Sequence, residues 1–374
     1  TRVLRADPKR KGLLYAGTES GVYVSFDDGE SWNSFQHNLP LVPITDLTIK
    51  NNNLIAATQG RSVWLIDDLT PLHQLNYDVL RSDFHIFKPI DSYRMGYPSW
   101  RTNSSKNGIN HHNGVKVFFN IDSTKVWKDS LRVTLEFMDS NKKTIKVFSS
   151  FSKENTLKVN NGSNSFVWNM RYNNAKGFDG LIMWAASLSG PKAIPGKYFA
   201  KLSINGKSKE TEFFILKDER SKSTIDDLKD QFNFLIEIRD KISEIHQSIS
   251  DMRLVISQIN TFKSKIENNE EIITKMKNLI DEIKIIENEL YQTKNKSRQD
   301  PLNYPIKLNN KLAHLSSVAG NGNYKPTDQM IEVKNELIEK INQELKKWDL
   351  IKKEKLKNLN NEIKNIDIDL ISIN

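Results

Sequence analysis

The chain has 374 residues, of which 55 are Lys or Arg and 46 are Asp or Glu, and it contains no cysteine. The length predicts two or three domains. The lack of cysteine excludes disulfides, cysteine-ligated zinc and a cysteine nucleophile. No apolar run approaches the roughly 18 residues of a membrane span, so we expect no transmembrane segment. The sequence starts at Thr1 in a strand-like pattern without a signal segment, which predicts a mature or truncated piece of a longer protein.

Hydrophobic periodicity divides the chain into three predicted domains, 1–75, 76–218 and 219–374. The first two alternate apolar and polar residues, which is typical of strands, whereas the third spaces apolar residues three and four apart, as helices do. The predicted fold class is therefore multidomain β plus α. We expect terminal β-propeller blades, an Ig-like β-sandwich and a C-terminal antiparallel helical bundle.

The first region contains an internal repeat of 40 residues. The shift brings strand residues and an acidic pair into coincidence: Leu14 with Leu54, Ala16 with Ala56, Thr18 with Thr58, and Asp27-Asp28 with Asp67-Asp68. A period of about 40 residues with several short strands is the spacing of a propeller blade. Because a propeller needs about four to eight blades, this region is either the end of a propeller that is cut off upstream, which we favour, or a remnant that needs a partner. The alternative is a pair of hairpins with chance similarity.

The first repeat holds the pattern Ser-x-Asp-x-Gly-x-x-Trp, the Asp-box, in Ser25, Asp27, Gly29 and Trp32. We expect Asp27 to accept hydrogen bonds from amides of its own turn and Gly29 to take a positive φ. Trp32 is expected to cover the turn from the next strand. These roles are structural, so the Asp-box carboxylates receive no catalytic assignment.

The middle region is predicted to be a β-sandwich. Alternating runs surround the dipeptide Asn205-Gly206, which is the strongest short hairpin signal. About seven short strands fit an immunoglobulin-like sandwich. Such a module is expected to act as a spacer or adaptor.

The last region contains three apolar seams, which begin near Leu228, Ile272 and Val333. Ser223 and Thr224 are N-cap candidates for the first helix. Three seams of this length are predicted to pack as an antiparallel bundle. The alternative is an open coiled coil that joins another chain, and a docking partner for the bundle is a candidate in either case.

No catalytic or metal-binding constellation is found in the sequence. His111-His112 would point to opposite faces of a strand, and there is no HExxH, GxSxG or P-loop motif. A glycosidase needs two carboxylates that flank the scissile bond about 5–9.5 Å apart, and the adjacent pair Asp67-Asp68 does not provide this. We therefore predict no catalytic residue, metal or cofactor in this chain.

One loop contains candidate ligand contacts, namely Tyr97, Trp100 and Arg101. Aromatic side chains with polar neighbours can stack on sugar rings. The simpler interpretation is a loop that packs at the junction of the two β regions.

The distribution of charge argues against a nucleic-acid partner. Residues 219–374 contain 26 basic and 26 acidic residues, which leaves 29 basic and 20 acidic residues in 1–218. The net charge of +9 therefore lies entirely in the β regions. A nucleic-acid-binding coiled coil would have the opposite distribution.

The sequence resembles the C-terminal portion of bacterial secreted Asp-box (BNR-repeat) β-propeller proteins, a sortilin-like and glycosyl-hydrolase-like family. The segments that carry the resemblance are 3–8, 12–18, 22–29, 58–72, 299–305 and 326–329. The resemblance implies an extracytoplasmic location in a bacterium. A full member has a long propeller first, so the resemblance places any centre on the propeller axis mostly outside this chain.

Two hypotheses of function follow. In the first, the chain is a non-catalytic part that binds a protein or glycan through the propeller and contributes to assembly. In the second, it is the accessory region of a sialidase-like glycoside hydrolase whose catalytic blades lie upstream. The missing catalytic constellation favours the first hypothesis, and the Asp-box and the propeller period motivate the second.

Overall fold

The computed structural model describes residues 1–95, 112–122, 132–264, 266 and 269–364. The chain is a mixture of β-sheets and C-terminal helices and divides into two compact units. One unit comprises Thr1–Asn169 with Gly196–Leu216, and the other comprises Met170–Pro195 with Lys217–Asn374. The segment 170–195, which the sequence analysis assigned to the middle region, thus belongs to the helical unit.

Residues 1–75 form two antiparallel sheets. The four-stranded sheet has the order β1 (Val3–Ala6), β2 (Leu14–Thr18), β3 (Gly21–Ser25), β4 (Asn33–Ser34). The three-stranded sheet has the order β5 (Ile44–Lys50), β6 (Asn53–Thr58), β7 (Val63–Ile66). The 40-residue shift carries β2 onto β6 and β3 onto β7. Both sheets contribute to one hydrophobic core, in which Leu13, Tyr15 and Ile44 are fully buried.

Two further sheets complete this unit, after the short helices α1 (Thr70–Gln74) and α2 (Tyr77–Arg81). Their strands are β8 (Phe84–Ile86), β9 (Ser92–Arg94), β10 (Val115–Ile121), β11 (Val133–Met138), β12 (Thr144–Ser149), β13 (Gly162–Trp168), β14 (Gly196–Ile204) and β15 (Lys207–Lys217). One sheet has the order β13-β10-β8 and the other β12-β11-β14-β15-β9.

An aromatic core joins these two sheets. The rings of Phe137 on β11 and Trp168 on β13 stack with centroids 4.6 Å apart, and both side chains are fully buried. The alternation of buried and exposed residues along β10 follows from the pleat of a strand. Asn205 and Gly206 both have positive φ, +48° and +85°, as a two-residue type I′ hairpin turn requires.

The second unit contains the long helices. Their bounds are α3 (Ile225–Lys263), α4 (Glu270–Leu290), α5 (Leu308–Ala319), α6 (Asp328–Leu350) and α7 (Leu356–Lys364), and a π-helical turn, Ile351–Lys355, joins the last two. A capping box between Thr224 and Asp227 starts α3, as the sequence predicts. Thr327 caps α6 in the same way through its hydroxyl.

The helix directions follow from their contacts. Arg253 of α3 pairs with Glu287 of α4, and Gln231 of α3 bonds the end of α5 at Ala319; both arrangements are antiparallel. In contrast, Glu237 and Lys241 of α3 contact Lys334 and Asn342 of α6, so contacts advance in the same direction along both helices. α3 and α6, which carry the first and third apolar seams, are therefore parallel, as alternate helices of an up-and-down bundle are.

The segment Met170–Pro195, which we call the strap, is irregular apart from one bridge, Arg171↔Lys192. Its two ends lie side by side, because the Tyr172 amide donates to Pro191 O at 3.0 Å and the Ala193 amide donates to Met170 O at 2.6 Å. Irregular backbone must satisfy its polar groups outside a helix or sheet. The helices of this unit supply those partners, as described below.

Candidate functional site

The Asp-box residues form a hydrogen-bonded turn after β3. The Ser25 hydroxyl donates to Asp27 Oδ1 at 2.7 Å and accepts from the Gly29 amide at 2.9 Å. The Ser31 amide donates to Asp27 Oδ1 at 2.9 Å, and the Ser31 hydroxyl donates to Oδ2. Trp32 closes the turn by donating from Nε1 to Gly29 O at 3.1 Å. These bonds use both carboxylate oxygens within the turn.

The turn also explains the charge state of Asp27. Hydrogen bonds from the hydroxyl and amide of Ser31, and then from the Ser25 hydroxyl, lower the pKa of Asp27 to about 2. Gly29 has φ +97°, in the region that L side chains rarely adopt. The side chain of Trp32 stays 38% exposed, so it covers the turn without being buried.

A second carboxylate, Asp7, lies in a buried cluster between β1 and β2. The Tyr15 hydroxyl donates to Asp7 Oδ2 at 3.1 Å, and His73 Nε2 of α1 lies 2.9 Å from the same oxygen. The amides of Lys9 and Arg10 donate to Oδ1 at 2.8 and 3.1 Å. Burial raises the pKa of Asp7, but the His73 hydrogen bond and these amides outweigh it, so the pKa lies below its ordinary value.

The acidic pair at the end of the second repeat divides between two environments. Asp68 is buried and accepts from Asn52 Nδ2 at 3.1 Å and from the Thr70 amide at 2.9 Å. Asp67 pairs with Lys116 of β10 at 3.5 Å. The two carboxylates therefore contact different partners and do not share a site.

The three candidate ligand contacts Tyr97, Trp100 and Arg101 lie outside the described residues. Their neighbour Tyr93 on β9 is 42% exposed, whereas Arg94 is buried. The interpretation of this loop as a ligand site stays a prediction.

The outer edge of β7 is an open surface. Among the described residues β7 pairs only with β6, whereas the first repeat adds a fourth strand, β4, to the corresponding β3. Val63 and Leu65 on β7 are 63% and 53% exposed. An adjoining crevice of about 40 Å³ is lined by apolar side chains that include Phe35, Leu39 and Trp64. An exposed apolar edge strand can pair with an extended polypeptide.

In the helical unit, side chains of the helices bind the backbone of the strap. Asn310 of α5 accepts from the Trp184 amide at 2.7 Å and donates to Trp184 O at 2.8 Å. The Tyr291 hydroxyl, just after α4, accepts from the Ile182 amide at 3.1 Å and donates to Gly180 O at 3.3 Å. These pairs satisfy strap groups that have no secondary-structure partner.

His246 of α3 continues this contact at a fully buried position. Its Nδ1 lies 2.6 Å from Lys176 O, and its Nε2 lies 3.1 Å from Asn309 Nδ2. A neutral ring with the proton on Nδ1 satisfies both contacts. Burial lowers the pKa of His246, against the Lys176 hydrogen bond. The neutral imidazole of His246 therefore links α3 to the strap and to α5 through its two ring nitrogens.

Within the described residues, no group of three or more His, Asp or Glu side chains has the arrangement of a metal site. In the same part of the chain, none of the helices combines the length and apolar character needed to cross a bilayer.

Comparisons with known proteins do not identify a family. No protein-family model matches the chain, and no curated protein matches it. One solved structure, titled "pT26-6p", is 11% identical over 94% of this chain and 67% of that chain, with a TM-score of 0.12. A likeness at that TM-score carries no argument about fold or function.

The sequence analysis missed the two sites that the structure builds over long separations. Asp7 and His73 are 66 positions apart, and His246 and Asn309 are 63 apart. Neither pair forms a spacing motif.

Proposed function

We propose that this chain is a non-catalytic part of an extracytoplasmic bacterial Asp-box β-propeller protein, with a role in protein or glycan binding and in assembly. In this proposal β1–β7 are the last propeller blades, residues 76–218 are an Ig-like adaptor, and the helices dock the protein to a partner. The observation that carries the proposal is the Asp27 turn, whose hydrogen bonds follow the Asp-box pattern within a 40-residue repeat.

The use of the carboxylates in this part of the chain supports a non-catalytic role. Asp27 binds donors of its own turn, Asp7 binds Tyr15 and His73, and Asp68 binds Asn52. A glycosidase acid or nucleophile must instead face the substrate. Because these three carboxylates accept hydrogen bonds from donors within the protein, their role is to stabilise the fold.

The open edge of β7 supports the binding role. Among the described residues no strand pairs with this edge, where Val63 and Leu65 are exposed next to the crevice at Trp64. An extended ligand would add a strand there through main-chain hydrogen bonds, and the crevice would take one of its side chains.

The test is a binding screen of the full chain on peptide and glycan arrays. We expect wild-type chain to bind a subset of ligands and the variant Val63→Lys/Leu65→Lys to lose that binding. The matched control is Leu4→Lys/Leu41→Lys, which adds the same charge at side chains 52% and 82% exposed elsewhere in the same unit.

A parallel assay with fluorogenic sialosides and other glycosides tests the lack of catalysis. Turnover by wild-type chain would overturn the non-catalytic role. Array binding that the β7 variant retains would overturn the placement of the binding surface.

A further inference from the structure

Two helical segments of the second unit carry nearly the same ten residues. The segment 275–284 is KMKNLIDEIK and 355–364 is KLKNLNNEIK, which agree at seven positions. The shared residues of the first are Lys275, Lys277, Asn278, Leu279, Glu282, Ile283 and Lys284. We call these segments the α4 motif and the α7 motif.

The two motifs pack against each other in antiparallel directions. Lys275 Nζ of α4 lies 2.9 Å from Glu362 Oε2, and Lys355 Nζ lies 2.6 Å from Glu282 Oε1. The lysine of each motif thus binds the glutamate of the other. Such reciprocity is the mark of an isologous contact, in which one patch meets a copy of itself across a two-fold axis.

Burial follows the same symmetry. Leu279 and Leu359 are 5% and 6% exposed, and the asparagine of each motif lies exposed beside its leucine. The lysine, asparagine, leucine and glutamate of both motifs line one crevice of about 220 Å³. The lysine, asparagine, leucine and glutamate of the two motifs therefore have matching surroundings on both helices.

The connection to α7 is an irregular point in a continuous helical stretch. The π-helical turn Ile351–Lys355 precedes α7, and such turns mark irregular points in a helix. α7 is nine residues long, and Leu359 is its buried residue. Exposed ion pairs contribute little stability, so Leu359 and the partly buried Leu356 and Ile363 supply the apolar contacts that hold α7 on its own chain.

We propose that α4 binds α7 of a second copy of this chain, so that two copies exchange α7 and form a two-fold symmetric dimer. Each copy then regains both ion pairs and the leucine contact, which is why exchange of an identical element costs little. The inference goes beyond the proposed function, because it names the partner and the contact, and it does not depend on the propeller assignment.

Charge reversal on one motif at a time tests the exchange. The α4-reversed variant is Lys275→Glu/Glu282→Lys, and the α7-reversed variant is Lys355→Glu/Glu362→Lys. Each alone places like charges together, whether or not α7 is exchanged. Mixed in equal amounts, they restore both pairs only by exchange between the two variants. We expect a heterodimer in native mass spectrometry of the mixture and monomers for each variant alone.

The control carries all four substitutions in one chain, which restores the pairs internally and should match wild type in helicity and thermal unfolding. The proposal is overturned if the mixture stays monomeric while this control behaves as wild type. It is also overturned if either variant alone dimerises to the same extent, because another contact would then hold the dimer.

A second measurement leaves most of the charges in place and uses the lack of native cysteine. Lys275→Cys and Glu362→Cys are made in separate, size-tagged chains, mixed, and treated with a short bis-maleimide. Exchange gives a cross-link between the two chains, and neither variant alone gives one. If only the chain with both substitutions cross-links, and does so within itself, the exchange does not occur.

Discussion

Nε2 of His73 lies 2.9 Å from Oδ2 of Asp7, although 66 positions separate the two residues. The side chain of Asp7 is completely buried, and that of His73 is 14% exposed. Tyr15 donates to the same carboxylate oxygen, and burial together with Asp7 raises the pKa of that phenol. One carboxylate therefore joins the β1–β2 turn, β2 and the helix that follows the second sheet.

We expect Asp7→Ala to destabilise the chain by about 2–4 kcal/mol. Removal of one partner of a buried, hydrogen-bonded pair leaves the other groups unsatisfied, which costs much more than loss of a surface pair. The groups left here are His73, the Tyr15 hydroxyl and two amides. Urea unfolding followed by tryptophan fluorescence measures the loss.

The matched control is Asp46→Ala, which breaks the pair of Arg5 and Asp46, whose side chains are 45% and 60% exposed. We expect a loss below about 1 kcal/mol for this surface pair. Equal effects of the two substitutions would contradict a stabilising role for the buried cluster.

The stability of the helical unit should decrease in acid because of His246. Its folded pKa lies below the ordinary value of 6.5 as a result of burial, so the unfolded chain binds this proton more tightly. The contribution is complete above pH 6.5 and is lost as the pH falls below that value. Urea midpoints between pH 8 and pH 5 should therefore fall more steeply for wild type than for His246→Gln.

His37→Gln is the control for this experiment, since His37 is an exposed histidine of the other unit. It should retain the wild-type pH dependence. If the urea midpoint of His246→Gln falls between pH 8 and pH 5 as steeply as that of wild type, protonation of His246 is not the cause of the loss of stability in acid.

The sequence predicted those features whose contacts are local. The Asp27 turn closes within the eight residues 25–32. Thr224 and Asp227 cap α3 from three positions apart, and Asn205 and Gly206 adopt the positive φ values that their residue types favour. In each case the residue types and their spacing determine the geometry. This local agreement covers the Asp27 turn, the Asn205-Gly206 turn and the start of α3.

The strap could not be predicted, because its conformation depends on distant side chains. Trp184 is bound by Asn310, 126 positions later, and Lys176 O is bound by His246, 70 positions later. Short alternating runs near the strap are compatible with strands, which is why the sequence analysis assigned it to the sandwich.

Gly190→Ala should detach one end of the strap. A Cβ at this position would lie 2.3 Å from Tyr172 O and 2.4 Å from Asn173 O, and backbone atoms cannot move aside without loss of the Tyr172–Pro191 hydrogen bond. We expect a loss of about 1–3 kcal/mol, as for overpacking elsewhere. Hydrogen exchange should show faster exchange of the Tyr172 and Ala175 amides.

Gly177→Ala on the same strap is the comparison. Its Cβ would meet only leucine side chains at 3.4 Å and 3.8 Å, which are ordinary contact distances. This variant should retain wild-type exchange rates. Similar effects of both substitutions would mean that loss of glycine flexibility, rather than the contact with Tyr172 and Asn173, determines the result.

Asn310→Asp should weaken the strap in a manner that acid reverses. The amide of buried Asn310 accepts from Trp184 N and donates to Trp184 O at 2.8 Å, whereas a carboxylate can only accept. The ionised variant would place two oxygens against each other, which we expect to cost about 2 kcal/mol or more. Protonation restores a donor, so the loss of unfolding free energy relative to wild type should shrink between pH 8 and pH 5.

Asn360→Asp, at an exposed position on α7, adds the same charge and should show a small loss of unfolding free energy without this pH trend. A deficit for Asn310→Asp that stays constant with pH would exclude the donated hydrogen bond as its cause.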